Sequence, residues 1–352
     1  MNDLNTSNND GSPLTPKPYD FFFTGSGSEY FRIWIVNILL TILTLGIYSA
    51  WAKVRTNRYF YGNAHLAQAS FDYLASPITI LKGRLIAVAI VIVYAVLAKV
   101  DPIFEVGFFL LIIAFLPWLI VKSLAFNAYN SAYRNIRFGF TGSMGSAFKE
   151  YIAFPLLIIF TLGLIVPYVS YRQSRFVADN HRFGDQYFNF NASSGDYYKI
   201  FAIVFAAMIA FGVVTVMTIG SVAHLMEDPI AMITAFGIYI PFIYLAFAVI
   251  AVYVQVKLFN LFFDSVTLGE HEFRASLTVG RMLWLQLSNL LAIIVTFGLF
   301  YPWAKVRMAK YRLEQLSFVA ATDLDSFTAK QSENISAMGD EIGEAFAVEV
   351  GF

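Results

Sequence analysis

Two clusters of cations beside tryptophans, and a third beside other aromatics, are the places where this chain could do chemistry. Trp51, Lys53, Arg55 and Arg58 recur as Trp303, Lys305, Arg307 and Lys310, while Arg172 and Arg175 sit at the matching offsets of a middle copy. Trp51 and Arg55 are four residues apart, as are Trp303 and Arg307, so each pair shares one face if the segment is helical. A guanidinium takes phosphate or carboxylate through two parallel hydrogen bonds, and an indole settles at headgroup depth. The chemistry offered is recognition of an anionic headgroup; its plainer alternative is an interfacial anchor that holds any lipid. Arg55, Arg172 and Arg307 each follow Thr44, Thr161 or Thr296 by eleven residues, the spacing expected of three equivalent cations around one centre.

Covalent chemistry has little to work with. There is no cysteine, and the four histidines, His65, His181, His224 and His271, are scattered with no H-E-x-x-H among them. Gly25 to Gly27 lacks the Gly-Lys-Ser/Thr that completes a phosphate-binding loop, and no Gly-x-Ser-x-Gly elbow occurs. We therefore expect no catalytic residue, metal or cofactor. Glu105 and Glu150 fall near the ends of apolar runs, leaving no acid deep within one, which argues against an ion-coupled pump. Asn37 and Asn289 lie seven residues before Thr44 and Thr296; with Gln286 they are candidate inward-facing polar groups, serving either as glue between helices or as a polar path.

The elements that position these residues are repeats. Thr44-Leu45-Gly46 opens a phrase that ends at Tyr59, Thr296-Phe297-Gly298 opens its counterpart ending at Tyr311, and Thr161-Leu162-Gly163 opens a worn version ending at Phe176. Hydrophobic residues make up 58% of the 352 and charged residues 14%, with a mean hydropathy of +0.62. Apolar runs near 33–50, 85–99, 104–121, 150–169, 200–220, 231–256 and 283–303 approach the roughly 20 residues needed to cross a bilayer. The expected fold is thus an all-α polytopic membrane protein, an internally repeated helical bundle of about seven apolar segments. Short aromatic pieces at 21–26, 138–143, 188–193 and 271–276 suit brief interfacial β-strands. Gly46, Gly163 and Gly298 are candidate hinges: the signature segments are either ordinary helices or re-entrant ones that turn back at Thr-Leu-Gly.

Charge orients this bundle. Lys and Arg populate the loops at 51–84, 122–149, 170–199 and 257–282, and are missing only from the links near Asp101 and near 224–228. Positive loops stay cytoplasmic, so only those two links face outward. Residues 321–352 hold seven acids against Lys330 alone, leaving the rest of a neutral chain with an excess of six positive charges. Three parts follow: a disordered tail at 1–19, one membrane domain at 20–320 with signatures at 44–59, 161–176 and 296–311, and an acidic cytoplasmic tail at 321–352. The basic surface fits anionic membrane lipids and requires no nucleic acid. Passive transport or lipid handling is the leading function, and a membrane scaffold whose tail docks a soluble partner, or a homo-oligomer, is the alternative.

The two full signatures, the Phe-Thr-Gly pieces and Asp340-Glu341-Ile342-Gly343-Glu344-Ala345-Phe346 together resemble the YjgN family of bacterial inner-membrane proteins, a domain of unknown function. The resemblance runs from about residue 20 to the end. It implies a multi-pass protein of the bacterial inner membrane and brings no catalytic residues. After the shared phenylalanine this chain reads Ala347-Val348-Glu349, where the family tends toward a further acid.

Overall fold

Five times along the chain a strand of alternating apolar residues stops at a Ser or Thr and becomes a helix. Ser26, Ser76, Ser143 and Thr278 occupy N-cap positions with extended backbone, and Ser26 forms a full capping box with Glu29. Each helical excursion comes back as a second strand, and one backbone bond closes its base. The amides of Thr24, Leu74, Thr141, Asn191 and Ser276 donate to the carbonyls of Asn63, Asn130, Asn180, Ser265 and Gln315, at 2.8 to 3.0 Å. In the three signature units the closing residues are 39 apart.

The computed structural model describes residues 17–101, 103–222 and 229–322. The strands are β1 (Lys17–Phe23), β2 (Ala64–Leu66), β3 (Ala69–Tyr73), β4 (Ser131–Tyr133), β5 (Ile136–Phe140), β6 (His181–Phe183), β7 (Gln186–Phe190), β8 (Val266–Leu268), β9 (His271–Ala275) and β10 (Leu316–Ala320). All ten join, antiparallel throughout, into a closed barrel ordered β1-β10-β9-β8-β7-β6-β5-β4-β3-β2. Two-residue turns connect β2–β3, β4–β5, β6–β7 and β8–β9. Ala67-Gln68 and Arg134-Asn135 have positive φ at both positions, as a type I′ turn requires, whereas Gly184 and Gly269 alone carry it in the other two, as in type II′.

From the opposite end of the barrel rise the helices, paired into five hairpins. The first is α1 (Gly27–Leu43) with α2 (Ser49–Gly62), and the second is α3 (Pro77–Leu97) with α4 (Ile103–Tyr129). The third runs through α5 (Met144–Phe148), a π-helical turn at Lys149–Ala153, α6 (Phe154–Phe160) and α7 (Val166–Asp179). The fourth is α8 (Ser194–Val222) with α9 (Pro229–Ser265), and the fifth is α10 (Val279–Val295) with α11 (Tyr301–Glu314). Contacts between α2 and α3, α4 and α5, α7 and α8, α9 and α10, and α11 and α1 close them into a ring. The signature hairpins hold the first, third and fifth places in that ring of five, so no three-fold centre relates their arginines.

This architecture corrects the expected all-α bundle of about seven segments. Among the described residues four stretches are long and apolar enough to cross a membrane: Pro77–Leu97, Ile103–Tyr129, Ser194–Thr218 and Tyr239–Ser265. The runs at 33–50, 150–169 and 283–303 are each broken by a turn, and their arms of 17 residues or fewer reach about 25 Å or less at 1.5 Å per residue, short of the roughly 30 Å hydrocarbon. The aromatic pieces, joined by a fifth strand at Ala69–Tyr73, are barrel staves. Strands of 3 to 7 residues are too short for a transmembrane barrel. Outward-facing Asp20, Asp72, Arg137, Asn189, Glu272 and Arg274 are exposed while Phe21, Leu66, Tyr133, Phe183, Leu268 and Phe318 are buried inside. A barrel that is polar outside and apolar inside belongs in water.

The proposed tail at 1–19 lies outside the described residues up to 16, and Lys17 to Tyr19 already belong to β1. The acidic tail lies outside them from 323 on, as does the link at 223–228.

Candidate functional site

The signature builds a hairpin tip that leaves few backbone groups unpaired. Thr44 caps α1; the amide of Gly46 donates to Thr41 O at 2.8 Å and that of Leu45 to Ile42 O at 3.1 Å, the double bond pattern of a Schellman stop. Thr44 Oγ1 donates to Leu40 O and accepts from Tyr48 N, stitching the first helix to the second. Thr296 does the same with Ala292 O and Phe300 N. Gly46, Gly163 and Gly298 have φ of +92°, +88° and +91°, a region that disfavours side chains, so these candidate hinges are the points where the chain reverses. The preceding Leu45, Leu162 and Phe297 also lie at positive φ, near +50°, and are 94%, 92% and 97% exposed. A bulky apolar residue held in this strained conformation at each tip is a feature that only an apolar surrounding would favour.

Below the tips, the two arms are pinned by the arginines. Arg307 donates to Asn289 Oδ1 at 2.6 Å and to Ser288 Oγ at 3.3 Å, and Asn289 in turn donates to Ala304 O. Arg55 makes a longer version with Asn37 Oδ1 at 3.4 Å, together with Tyr48 OH at 3.0 Å, and Asn37 donates to Ala52 O. In the middle copy Phe154 replaces the asparagine, and Arg172 lies over its ring at 5.3 Å. Arg172 instead grips Glu150, one turn earlier on the π-helical segment, through three contacts of 2.5 to 3.2 Å. Glu150 is 4% exposed, so the acid that sequence reading placed near a segment end is buried inside the hairpin. A π-turn, which re-aims side chains, is the local reason, and the sequence carries no signal of it.

The other candidates scatter. Trp51 stacks on Tyr48 rather than on Arg55, while Trp303 packs against Phe31 and Phe300 and covers Gly27 so closely that any side chain there would collide. Lys53 is exposed. Arg58 reaches Tyr73 O at 3.4 Å, Arg175 pairs with Asp179 at 3.0 Å, and Lys310 lies 3.8 Å from Glu314. Arg58, Arg175 and Lys310 thus work at the rim of the barrel.

Among the described residues, several candidates converge between α10 and α11. Gln286 and Asn289 of α10, Lys305 and Arg312 of α11, and Phe60 of α2 line a cavity of about 450 Å³, with Leu290, Ile293 and Met308 completing its wall. Gln286 is also bonded to Gln255 of α9 at 2.7 Å. Lys305 stands 4.9 Å from the Phe60 ring and 5.5 Å from that of Tyr30, with Tyr30 OH at 3.4 Å. Arg312, absent from the sequence candidates, is half-buried, and among the described residues it has no ion-pair or hydrogen-bond partner; burial pushes its guanidinium below the usual value. Lys305 and Arg312 are seven residues apart on α11, two turns along one face. That spacing was visible in the sequence; the facing α10 wall was not.

A second cavity, of about 350 Å³, fills the barrel lumen and is walled almost wholly by apolar atoms. Eight-stranded barrels are wide enough for side chains to fill, and ten strands leave room over.

The chain is similar over most of its length to curated relatives. It is 28% identical to the inner membrane protein YjgN of Salmonella typhimurium (strain LT2), covering 88% of this chain and 90% of that one. It is 24% identical to the proteins of that name from Escherichia coli K12 and O157:H7, each over 87% of this chain and 89% of theirs. No solved structure matches. With four membrane-length helices the chain is a membrane protein, and since the family described as bacterial protein of unknown function DUF898 matches residues 18–345, it belongs to that family.

Proposed function

We propose that this is a multi-pass protein of the bacterial inner membrane that binds acidic lipid through the α10–α11 cavity, with its barrel and both termini in the cytoplasm. One observation carries the reading: predicted polar residues Gln286 and Asn289, predicted Lys305 and the unpartnered Arg312 meet in a single cavity between apolar walls. Such a wall accepts an acyl chain, and the two cations accept a phosphate or carboxylate head. The ring supports this sidedness: every strand–helix junction, with the Lys and Arg it bears, lies at the barrel end, and the positive-inside rule favours the cytoplasm for such an end.

Native mass spectrometry from bilayer nanodiscs tests the site. Lys305→Gln with Arg312→Gln should strip retained acidic lipid while Arg137→Gln with Arg274→Gln, on the barrel exterior, should leave it bound. Equal retention in both variants would overturn the site and leave the scaffold role. A C-terminal reporter active only in the periplasm should stay dark, and a signal from it would reverse the topology.

A further inference from the structure

We propose that the barrel lumen is a binding site for one alkyl chain of an amphiphile. This rests on the lumen alone and does not need the α10–α11 cavity. Its wall is built from inward-facing Phe71, Phe138, Phe188, Phe273 and Phe318 with Leu268, from five different hairpins or strands of the sheet. Two side chains bring polar atoms. Tyr133 donates its hydroxyl to Leu66 O at 2.7 Å, and His181 donates Nδ1–H to the Val177 carbonyl at 2.6 Å. The lumen therefore presents no ion partner for a charged headgroup and no set of free donors to hold water, which needs two or more polar partners in a site. It selects for methylenes.

The volume of about 350 Å³ lies in the size class of small-ligand sites and accommodates on the order of ten methylenes, counting each at roughly the 30 Å³ share of a water molecule. The route is set by topology. At the far end tight two-residue turns close the staves, whereas at the helical end the wall is completed by the last turns of α7 and α9, through Val177, Ala178, Phe262 and Phe263. That end adjoins the apolar helices, so the nearest reservoir of alkyl chains is the bilayer, and a headgroup would stay at the junction between helices and barrel.

The test uses the full chain in nanodiscs doped with either a phospholipid or a free fatty acid that bears a photoreactive diazirine near its chain end, followed by peptide mapping. Labelling of β3, β5, β7, β9 or β10 is the expected result, and the arm that produces it tells a phospholipid chain from a free acid. Leu268→Trp, which fills the lumen, should reduce strand labelling at least five-fold while labelling of α3 and α4 continues unchanged, the latter serving as evidence of a folded protein in lipid. Val177→Phe at the mouth should do the same by a second route. Labels confined to helices in both arms, or strand labelling that survives both filling variants, would overturn the proposal in favour of a closed apolar core.

Discussion

The middle signature hairpin and its two outer counterparts share a fold and differ in what they bury. In the outer copies an arginine meets a neutral amide, Asn37 or Asn289; in the middle copy it meets a buried carboxylate, Glu150. The middle copy also places an ionisable His181 on the lumen wall, where the outer copies have Ala64 and Leu316 just after the exit helix. One scaffold thus tolerates either a neutral or a charged lock, because in each case the bond spans the same gap between the hairpin's two arms.

The largest expected effect is at that charged lock. Arg172→Ala leaves Glu150 buried without its partner and should destabilise the protein by about 3–5 kcal/mol, measured by unfolding in detergent micelles. Arg307→Ala should cost less, and Arg55→Ala, with its longer bond to Asn37, about 1 kcal/mol. Equal losses in the three would erase the distinction between the copies. Glu150→Leu combined with Arg172→Met should recover most of the stability, since replacing a buried pair by apolar groups of similar size is near neutral; a double variant as unstable as Arg172→Ala would mean the pair is not the lock.

At the tips the three copies should behave alike. Gly46→Ala, Gly163→Ala and Gly298→Ala each force a side chain into positive φ, at about 1–2 kcal/mol, and a Cβ there would meet nothing within 4 Å. The cost is therefore one of backbone angle alone. A tip whose substitution proved free would show that its hairpin does not reverse there.

The smallest effect sharpens the comparison through pH. Burial lowers the pKa of His181 below the usual 6.5, opposed by its bond to Val177 O. Between that lowered value and 6.5 the unfolded chain binds more protons than the folded one, so stability rises with pH through this window and is lost as pH falls below about 6.5. His181→Phe should flatten that part of a stability profile taken from pH 7.5 to 5, and an unchanged slope would assign the acid sensitivity to another group.

Several parts of this were legible. The chain reverses at Thr-Leu-Gly in two copies and at Thr-Phe-Gly in the third, with Gly46, Gly163 and Gly298 all at positive φ, because a Gly following a helix end is a local signal that needs no tertiary partner. Asn289 and Lys305 were singled out from their places in the repeat and do share a cavity. The count of seven spans went wrong for an equally physical reason: hydropathy sums over a run and is blind to a turn inside it. Arg312 was passed over because its importance lies in the wall across from it.

The sequence by itself determined that the chain lives in a membrane and that it is built from repeats, since composition and recurrence are properties of residues and their order. Only the tertiary structure decided that the aromatic pieces close into a barrel and that Glu150 is buried. The aromatic pieces at 21–26, 138–143, 188–193 and 271–276 are legible as short strands, but the ladder that shuts the barrel joins Tyr19 to Phe318, a pairing across almost the whole chain that no local pattern encodes.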